Sequence, residues 1–131
     1  LTSCNTTTKE VQVEKTIVAT FPERAKDMVI YEVNTRQFTP EGTFQAFIPH
    51  MERIRNMGVD ILWIMPIQPI GVKNRKGGLG SYYSIKDYKG VNEEYGTLDD
   101  FKALVNKAHE LNMLVILDCV LFICYPLNLK L

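Results

Sequence analysis

The sequence predicts an α/β fold built on a parallel sheet. Three short apolar runs rich in β-branched residues alternate with two amphipathic helical patterns, in the order strand, helix, strand, long loop, helix, strand. Strands that alternate with helices in this way pair in parallel through right-handed crossovers. Two architectures satisfy the pattern: a doubly wound open sheet and the opening part of an eight-stranded β/α barrel.

The first strand is predicted over residues 28–33, an apolar run typical of strands buried on both faces. In residues 44–54, apolar side chains recur at three- and four-residue steps, which predicts a helix. Thr43 is its expected N-cap, and Gly58 lies just past its end. Pro49 falls inside the pattern and is expected to kink the helix or shorten its first turn.

The second strand is predicted over residues 59–66, where Pro66 stops it. The loop that follows is too long for a plain connection, and loops of that length are usually functional. Thr97 and Asp100 then form an acidic capping box at the start of a second helix, whose apolar stripe fits packing against a sheet.

The third strand is predicted over residues 113–117 and ends in Asp118. In both candidate architectures the functional side lies at the carboxyl ends of the strands. Asn34, the loop after Pro66 and Asp118 all fall at this edge. No glycine-rich phosphate-binding motif follows any of the strands, which argues against nucleotide binding.

The long loop contains three tyrosines and one aspartate within residues 80–88. Tyrosine offers apolar area for stacking and a hydroxyl for hydrogen bonding, so this stretch can form an aromatic platform with polar tips. The alternative is a tyrosine-rich hairpin that only holds the loop shut.

Composition indicates one soluble globular unit, because the 131 residues are 46% hydrophobic and 23% charged with a net charge of +0. Lys and Arg do not cluster, so we expect no nucleic-acid partner. No apolar run approaches the roughly 20 residues that span a bilayer. Three cysteines and two distant histidines fit neither a zinc site nor an even disulfide framework.

Residues 1–26 are predicted to form a tether. The string Leu-Thr-Ser-Cys, which ends at Cys4, resembles the end of a bacterial lipoprotein signal, in which the cysteine receives lipid after cleavage. A polar spacer rich in Thr, Lys and Glu follows. These features predict lipidation of Cys4, membrane attachment through it, and a periplasmic or surface-exposed lipoprotein of the bacterial cell envelope. The alternative is an ordinary exposed cysteine.

Residues 27–120 resemble the start of the catalytic barrel of the alpha-amylase family, glycoside hydrolase family 13. The resemblance implies an incomplete TIM (β/α)8 barrel, with its first three β-strands and two helices on a parallel sheet, truncated after the third strand. The matching pieces occur in the family's order: the first strand at 29–33, the passage into the second strand at 58–67, the Tyr-x-x-x-Asp-Tyr loop with Tyr83, Asp87 and Tyr88, and the third strand ending in Asp118.

The resemblance also implies roles for these residues. In the family, the tyrosine matching Tyr83 stacks on the sugar ring where the glycosidic bond breaks, and the aspartate matching Asp118 lies in the polar network beneath the catalytic centre. Both are therefore assigned to substrate binding, whereas Asp87 and Tyr88 are assigned to the structure of the loop. The implied partner is an α-glucan or maltooligosaccharide, whose α-glucosidic bonds a full-length parent would cleave.

The match is lost inside the third-strand motif, Asp-x-Val-x-Asn-His, whose Asn commonly binds calcium and whose His contacts substrate. Phe122 and Ile123 stand at these two positions. Phe122 offers no oxygen to a hard cation. We therefore expect no cofactor in this chain, whereas a full-length parent could bind calcium. Residues 121–131 are expected to be a non-matching tail.

A retaining glycosidase needs two carboxyl groups that flank the scissile bond. The family carries them on strands four and five, so no catalytic residue is assigned here, and the chain is expected to be inactive. It is also expected to be marginally stable, since three of eight barrel strands leave two unpaired edges. The alternatives are a non-catalytic carbohydrate-binding or scaffold protein derived from the same barrel, and an unrelated small α/β domain.

Overall fold

The computed structural model describes residues 23–119, which form one three-stranded parallel sheet with helices in its connections. The strands are β1 (Ile30–Val33), β2 (Ile61–Ile64) and β3 (Leu114–Leu117), in the order β1-β2-β3. This confirms the predicted α/β class with a parallel sheet. Each strand is one to four residues shorter than the predicted apolar run.

Three short helices and one 3-10 turn connect β1 to β2: α1 (Thr35–Phe38), α2 (Phe44–Phe47), the 3-10 turn (Ile48–His50) and α3 (Met51–Asn56). The predicted N-cap is confirmed, since Thr43 Oγ1 accepts a hydrogen bond from the Ala46 N–H at 3.2 Å. Pro49 lies in the 3-10 turn and lacks an N–H, which explains why the predicted single helix is interrupted there. Helix α1 was not predicted.

Helix α4 (Leu98–Glu110) connects β2 to β3 and begins with the predicted capping box. Thr97 Oγ1 accepts from the Asp100 N–H at 3.1 Å, and the Asp100 carboxylate accepts from the Thr97 N–H at 2.7 Å. These N–H and hydroxyl donors of Thr97, with a further bond from Gln45, hold the pKa of Asp100 below its ordinary value. Leu104 and Ala108 on α4 pack into the core.

The two faces of the sheet differ in burial. Val33, Leu62 and Ile64 lie on the face covered by the helices and are completely or almost completely buried. On the opposite face Ile30 is 52% exposed and Trp63 is 40% exposed. The prediction that the first strand is buried on both faces is therefore wrong within residues 23–119, where the helices pack on one face only.

Most of the predicted tether lies outside the described residues, including Cys4. Its last part contains one 3-10 turn, Glu23–Ala25. Residues 120–131, with Phe122 and Ile123, also lie outside the described part of the chain. Among the helices of residues 23–119, none has the length and apolar character needed to cross a membrane.

Candidate functional site

The loop between β2 and α4 is folded back on itself by backbone hydrogen bonds. Ile70 and Ile85 form an antiparallel bridge, and the Gly71 N–H donates to the Ser84 carbonyl at 2.7 Å. The Arg75 guanidinium donates to three carbonyl groups of the same loop, at 2.9 to 3.4 Å. These contacts give the tyrosine-rich stretch a defined place at the carboxyl edge of the sheet.

Tyr83 extends from this loop to the end of β3. Its hydroxyl donates to Asp118 Oδ2 at 3.3 Å, while the residue stays 41% exposed. The backbone of Asp118 is fixed in turn, because its N–H donates to the Ile64 carbonyl at 2.8 Å. The two residues predicted to contact substrate therefore form an exposed aromatic ring beside a carboxylate, which we call the Tyr83–Asp118 platform.

Tyr82, the preceding residue, contacts the end of β1 instead. Its hydroxyl accepts from Asn34 Nδ2 at 3.2 Å, and the Arg36 guanidinium lies 4.6 Å from the centre of its ring. The structure thus brings together the three segments expected at the carboxyl edge, namely Asn34, the loop after Pro66 and Asp118. Adjacent tyrosines bridge the loop to β1 on one side and to β3 on the other.

Desolvation raises the pKa of the Tyr83 phenol, and the negative charge of Asp118, the hydrogen bond to it and the charge of Glu32 raise it further. The phenol therefore stays protonated at neutral pH and can donate to Asp118. Because the folded chain holds this proton more tightly than the unfolded chain, the resulting stability is present below the ordinary pKa and is lost as the pH rises through the raised one.

We expect the Tyr83 phenol to ionise at a higher pH than a free tyrosine, and Asp118→Asn to lower its pKa by removing the nearby charge. The measurement is an ultraviolet absorbance titration. Subtracting the curve of Tyr83→Phe isolates this phenol from the other five of the chain's six tyrosines. A Tyr83 pKa that does not respond to Asp118→Asn would contradict the contact between the two side chains.

Asp87 lies in the turn that follows the platform. Its Oδ1 accepts from the Lys89 N–H at 2.9 Å, and its Oδ2 would lie 2.9 Å from a Cβ placed on Gly90. A larger residue at position 90 would therefore require the Asp87 carboxylate to move. Tyr88 in the same turn is 46% exposed. The assignment of Asp87 and Tyr88 to loop structure stays a prediction, and the turn geometry accords with it.

Three features of the site were not predicted from the sequence: Arg36, Glu94 and the burial of Tyr95. Arg36 pairs with Glu94 at 3.1 Å, and Tyr95 is 2% exposed with its ring against Phe44. Burial raises the pKa of Tyr95, and the charge of Arg36 opposes this rise. Helix α1 is too short to show a helical period, so no local pattern could have marked Arg36.

Within residues 23–119, no three His, Cys, Asp or Glu side chains converge in a way that could hold a metal ion. Calcium takes six to eight oxygen ligands, and Asp118 alone does not supply such a set. The position that the resemblance links to calcium, Phe122, lies outside the described residues. Calcium binding in that parent stays a prediction.

Known proteins that resemble this chain include the two relatives and the two solved structures that follow. The malto-oligosyltrehalose trehalohydrolase of Saccharolobus solfataricus is 38% identical over 98 residues, which are 74% of this chain and 16% of that protein. Alpha-amylase 3 of Dictyoglomus thermophilum is 34% identical in an alignment of 102 residues that covers 72% of this chain and 19% of that protein. The chain thus spans less than one fifth of the length of the curated relatives it matches.

The structure of an alpha-amylase from Lactobacillus plantarum superposes with a TM-score of 0.70 and 55% identity, over 71% of this chain and 22% of that one. A maltogenic alpha-amylase from Thermotoga neapolitana gives a TM-score of 0.68 and 43% identity, over 72% and 23% of the two chains. The three strands correspond to the beginning of the barrel in these enzymes, as predicted. The family model for the alpha-amylase catalytic domain matches residues 5–124. This chain therefore belongs to the alpha-amylase family.

Proposed function

We propose that this chain forms the first part of a catalytic barrel that acts on α-glucosidic bonds of starch or maltodextrin. In this proposal the Tyr83–Asp118 platform contacts the sugar. The observation that carries it is the exposed ring of Tyr83, hydrogen-bonded to Asp118 at the carboxyl edge of the sheet. Active sites of β/α barrels lie at this edge.

The platform suits a sugar for a physical reason. A tyrosine ring can lose water against the apolar face of a pyranose while its hydroxyl keeps a polar partner. Asp118 is that partner: because the Tyr83 phenol remains protonated at neutral pH, it donates a hydrogen bond to the Asp118 carboxylate. Among residues 23–119, the hydrogen bond to the Asp118 carboxylate is made to Oδ2, and the second oxygen can accept from a sugar hydroxyl. These residues bind and orient the sugar.

The experiment is saturation-transfer NMR of the 131-residue chain with maltoheptaose. Tyr83→Ala should abolish the transfer to sugar protons, because it removes the stacking surface. Tyr83→Phe keeps the ring and loses only the bond to Asp118, so it should reduce binding and retain the contact. Equal transfer to the unsubstituted chain and to Tyr83→Ala would contradict the proposal.

A non-catalytic carbohydrate-binding protein derived from the same barrel is the second candidate. The Tyr83–Asp118 platform contains one carboxylate, that of Asp118, which accepts a hydrogen bond from Tyr83. Retaining hydrolysis needs two carboxyl groups that flank the bond, so the platform by itself favours sugar binding without cleavage. Binding of maltoheptaose to the chain fits both candidates. Transfer of the described residues into an active relative, set out in the Discussion, separates them.

The proposal extends to the cell envelope, where Cys4 carries lipid and residues 5–26 tether the barrel. Its support is the lipoprotein-like string at Cys4 and the polar spacer that follows. One acyl chain binds a membrane marginally, whereas the several chains of a lipoprotein anchor it stably.

Intact-mass analysis of native material is expected to show a multi-acyl addition on Cys4. Cys4→Ala should remove the addition and release the protein from the membrane fraction, whereas Cys119→Ala should change neither. An unmodified Cys4 thiol in native material would refute the lipid anchor.

A further inference from the structure

Arg36 lies where three segments of the carboxyl edge meet. It belongs to α1, directly after β1, and its guanidinium is 4.6 Å from the centre of the Tyr82 ring in the long loop. One of its terminal nitrogens lies 3.1 Å from a carboxylate oxygen of Glu94, just before α4. The ring of Tyr95 lies 5.8 Å from the same guanidinium. One side chain thus connects the end of β1, the tyrosine loop and the entry to α4.

The Arg36 side chain is largely buried, whereas that of Glu94 is not. Arg36 is 13% exposed, so its cation–π contact with Tyr82 is less screened than one at an open surface. Glu94 is 54% exposed, so water screens the ion pair more strongly. A planar guanidinium can stack on a ring and pair with a carboxylate at the same time, whereas a lysine ammonium cannot match this geometry. Asn34 adds a hydrogen bond to the Tyr82 hydroxyl from the same side.

We propose that Arg36 is a positioning residue, which holds Tyr82 against the end of β1 and thereby sets the place of Tyr83 over Asp118. Tyr82 and Tyr83 are neighbours with opposite partners, so a shift of the backbone at Tyr82 moves the ring of Tyr83. A displacement of about 1 Å can cost on the order of a hundredfold in a site that depends on orientation. The effect on sugar binding rests on the function proposed above, whereas the effect on the Tyr83–Asp118 contact does not.

The test uses the 131-residue chain with four substitutions and two readouts. Arg36→Met removes the charge and the planar group, Arg36→Lys keeps the charge, and Glu94→Gln removes the ion pair while leaving all apolar packing in place. Arg53→Met is the matched control, because the exposed Arg53 contacts Met57 on the far end of α3. The readouts are the Tyr83 pKa, by absorbance titration against Tyr83→Phe, and the Kd for maltoheptaose by NMR titration.

Arg36→Met is expected to bring the Tyr83 pKa down towards that of free tyrosine, as Asp118→Asn does, and to weaken maltoheptaose binding about tenfold, the scale of a sheltered cation–π contact with an ion pair. Arg36→Lys should cause smaller changes than Arg36→Met in both the Tyr83 pKa and maltoheptaose binding. Glu94→Gln should shift both readouts in the same direction by less, and Arg53→Met should shift neither.

An unchanged Tyr83 pKa in both Arg36→Met and Glu94→Gln would overturn the positioning role, whatever happens to sugar binding. Should Arg36→Met fail to fold, by loss of its circular dichroism spectrum, the result for Glu94→Gln decides in the same way. If the unsubstituted chain bound no maltoheptaose, the proposed function would fail, while a fall in the Tyr83 pKa would still establish the role of Arg36.

Discussion

The purified 131-residue chain is expected to release no reducing sugar from starch or maltoheptaose. The resemblance assigns the family's two catalytic carboxyl groups to strands four and five, so we expect no residue of this chain to supply them. A retaining glycosidase needs one carboxyl group as nucleophile and a second as general acid and base. Asp118 is engaged by Tyr83. One carboxylate cannot protonate the leaving group and attack the anomeric carbon from the opposite side.

The comparison enzyme for this measurement is the Lactobacillus plantarum alpha-amylase, assayed in parallel at equal molar concentration. Enzymes accelerate such reactions by at least about a millionfold, so even slight activity of the chain would exceed the blank. Release of reducing sugar that disappears in Asp118→Asn would refute the prediction. Activity that survives Asp118→Asn would instead indicate a contaminating enzyme.

The second large effect concerns two neighbours on β2, Leu62 and Trp63, which lie on opposite faces of the sheet. Leu62 is completely buried under the helices. Trp63 is 40% exposed on the opposite face of the sheet, which carries Ile30 and Trp63 and which we call the open face. Leu62→Ala should lower the free energy of unfolding by about 2–5 kcal/mol, the usual cost of emptying a buried leucine site. Trp63→Ala should cost much less, although it removes a larger side chain.

The open face has a further consequence for the intact chain. Ile30 and Ile116, in the strands on either side of Trp63, are 52% and 44% exposed, and the two outer strands present unpaired edges within the described residues. We therefore expect the chain to bind a hydrophobic dye and to unfold with low cooperativity. Because we expect the chain to be only marginally stable, the decrease in the free energy of unfolding predicted for Leu62→Ala would abolish folding.

Urea unfolding followed by circular dichroism tests these expectations, with dye fluorescence as the second readout. Trp63→Ala should leave the circular dichroism spectrum intact and reduce dye binding, whereas Leu62→Ala should lose the spectrum. A sharp cooperative transition of the unsubstituted monomer, without dye binding, would contradict the open face. Equal destabilisation by the two substitutions would contradict the assignment of the faces.

The elements that the sequence predicted well are those set by local chemistry. Three β-branched runs became β1, β2 and β3, and the capping box at Thr97 and Asp100 formed as expected. Pro49 interrupted its helix because a proline lacks the N–H that a continuous helix needs. Such features depend on neighbours within a few residues, so the sequence itself displays them.

What the sequence did not predict depends on distant contacts. Arg36 pairs with Glu94 and stacks on Tyr82, residues far along the chain, and neither pairing follows from a period or a cap. The open face of β1 was also missed, because a parallel strand with one covered face has the same apolar sequence as a strand with two. The strand order predicted that the long loop and Asp118 lie at the same edge of the sheet, whereas only the resemblance to the family assigned Tyr83 and Asp118 to the substrate.

The central claim is that the Tyr83–Asp118 platform is the sugar-contacting edge of an alpha-amylase-type catalytic barrel. The most direct test replaces the matching segment of the Lactobacillus plantarum alpha-amylase, which is 55% identical over 71% of this chain, with residues 27–119 of this chain. In this hybrid, the Lactobacillus plantarum enzyme supplies the remaining strands and the catalytic carboxyl groups. Its kcat/KM for maltoheptaose is then measured with and without Tyr83→Ala, and Tyr82→Phe is the control because it keeps the ring that Arg36 contacts.

We predict that the hybrid hydrolyses maltoheptaose, that Tyr83→Ala lowers kcat/KM on the order of a hundredfold, and that Tyr82→Phe lowers it only slightly. A hybrid that binds maltoheptaose without cleaving it would favour the non-catalytic carbohydrate-binding protein. An active hybrid in which Tyr83→Ala leaves kcat/KM unchanged, or in which both substitutions have equal effects, would contradict the assignment of Tyr83 to the substrate.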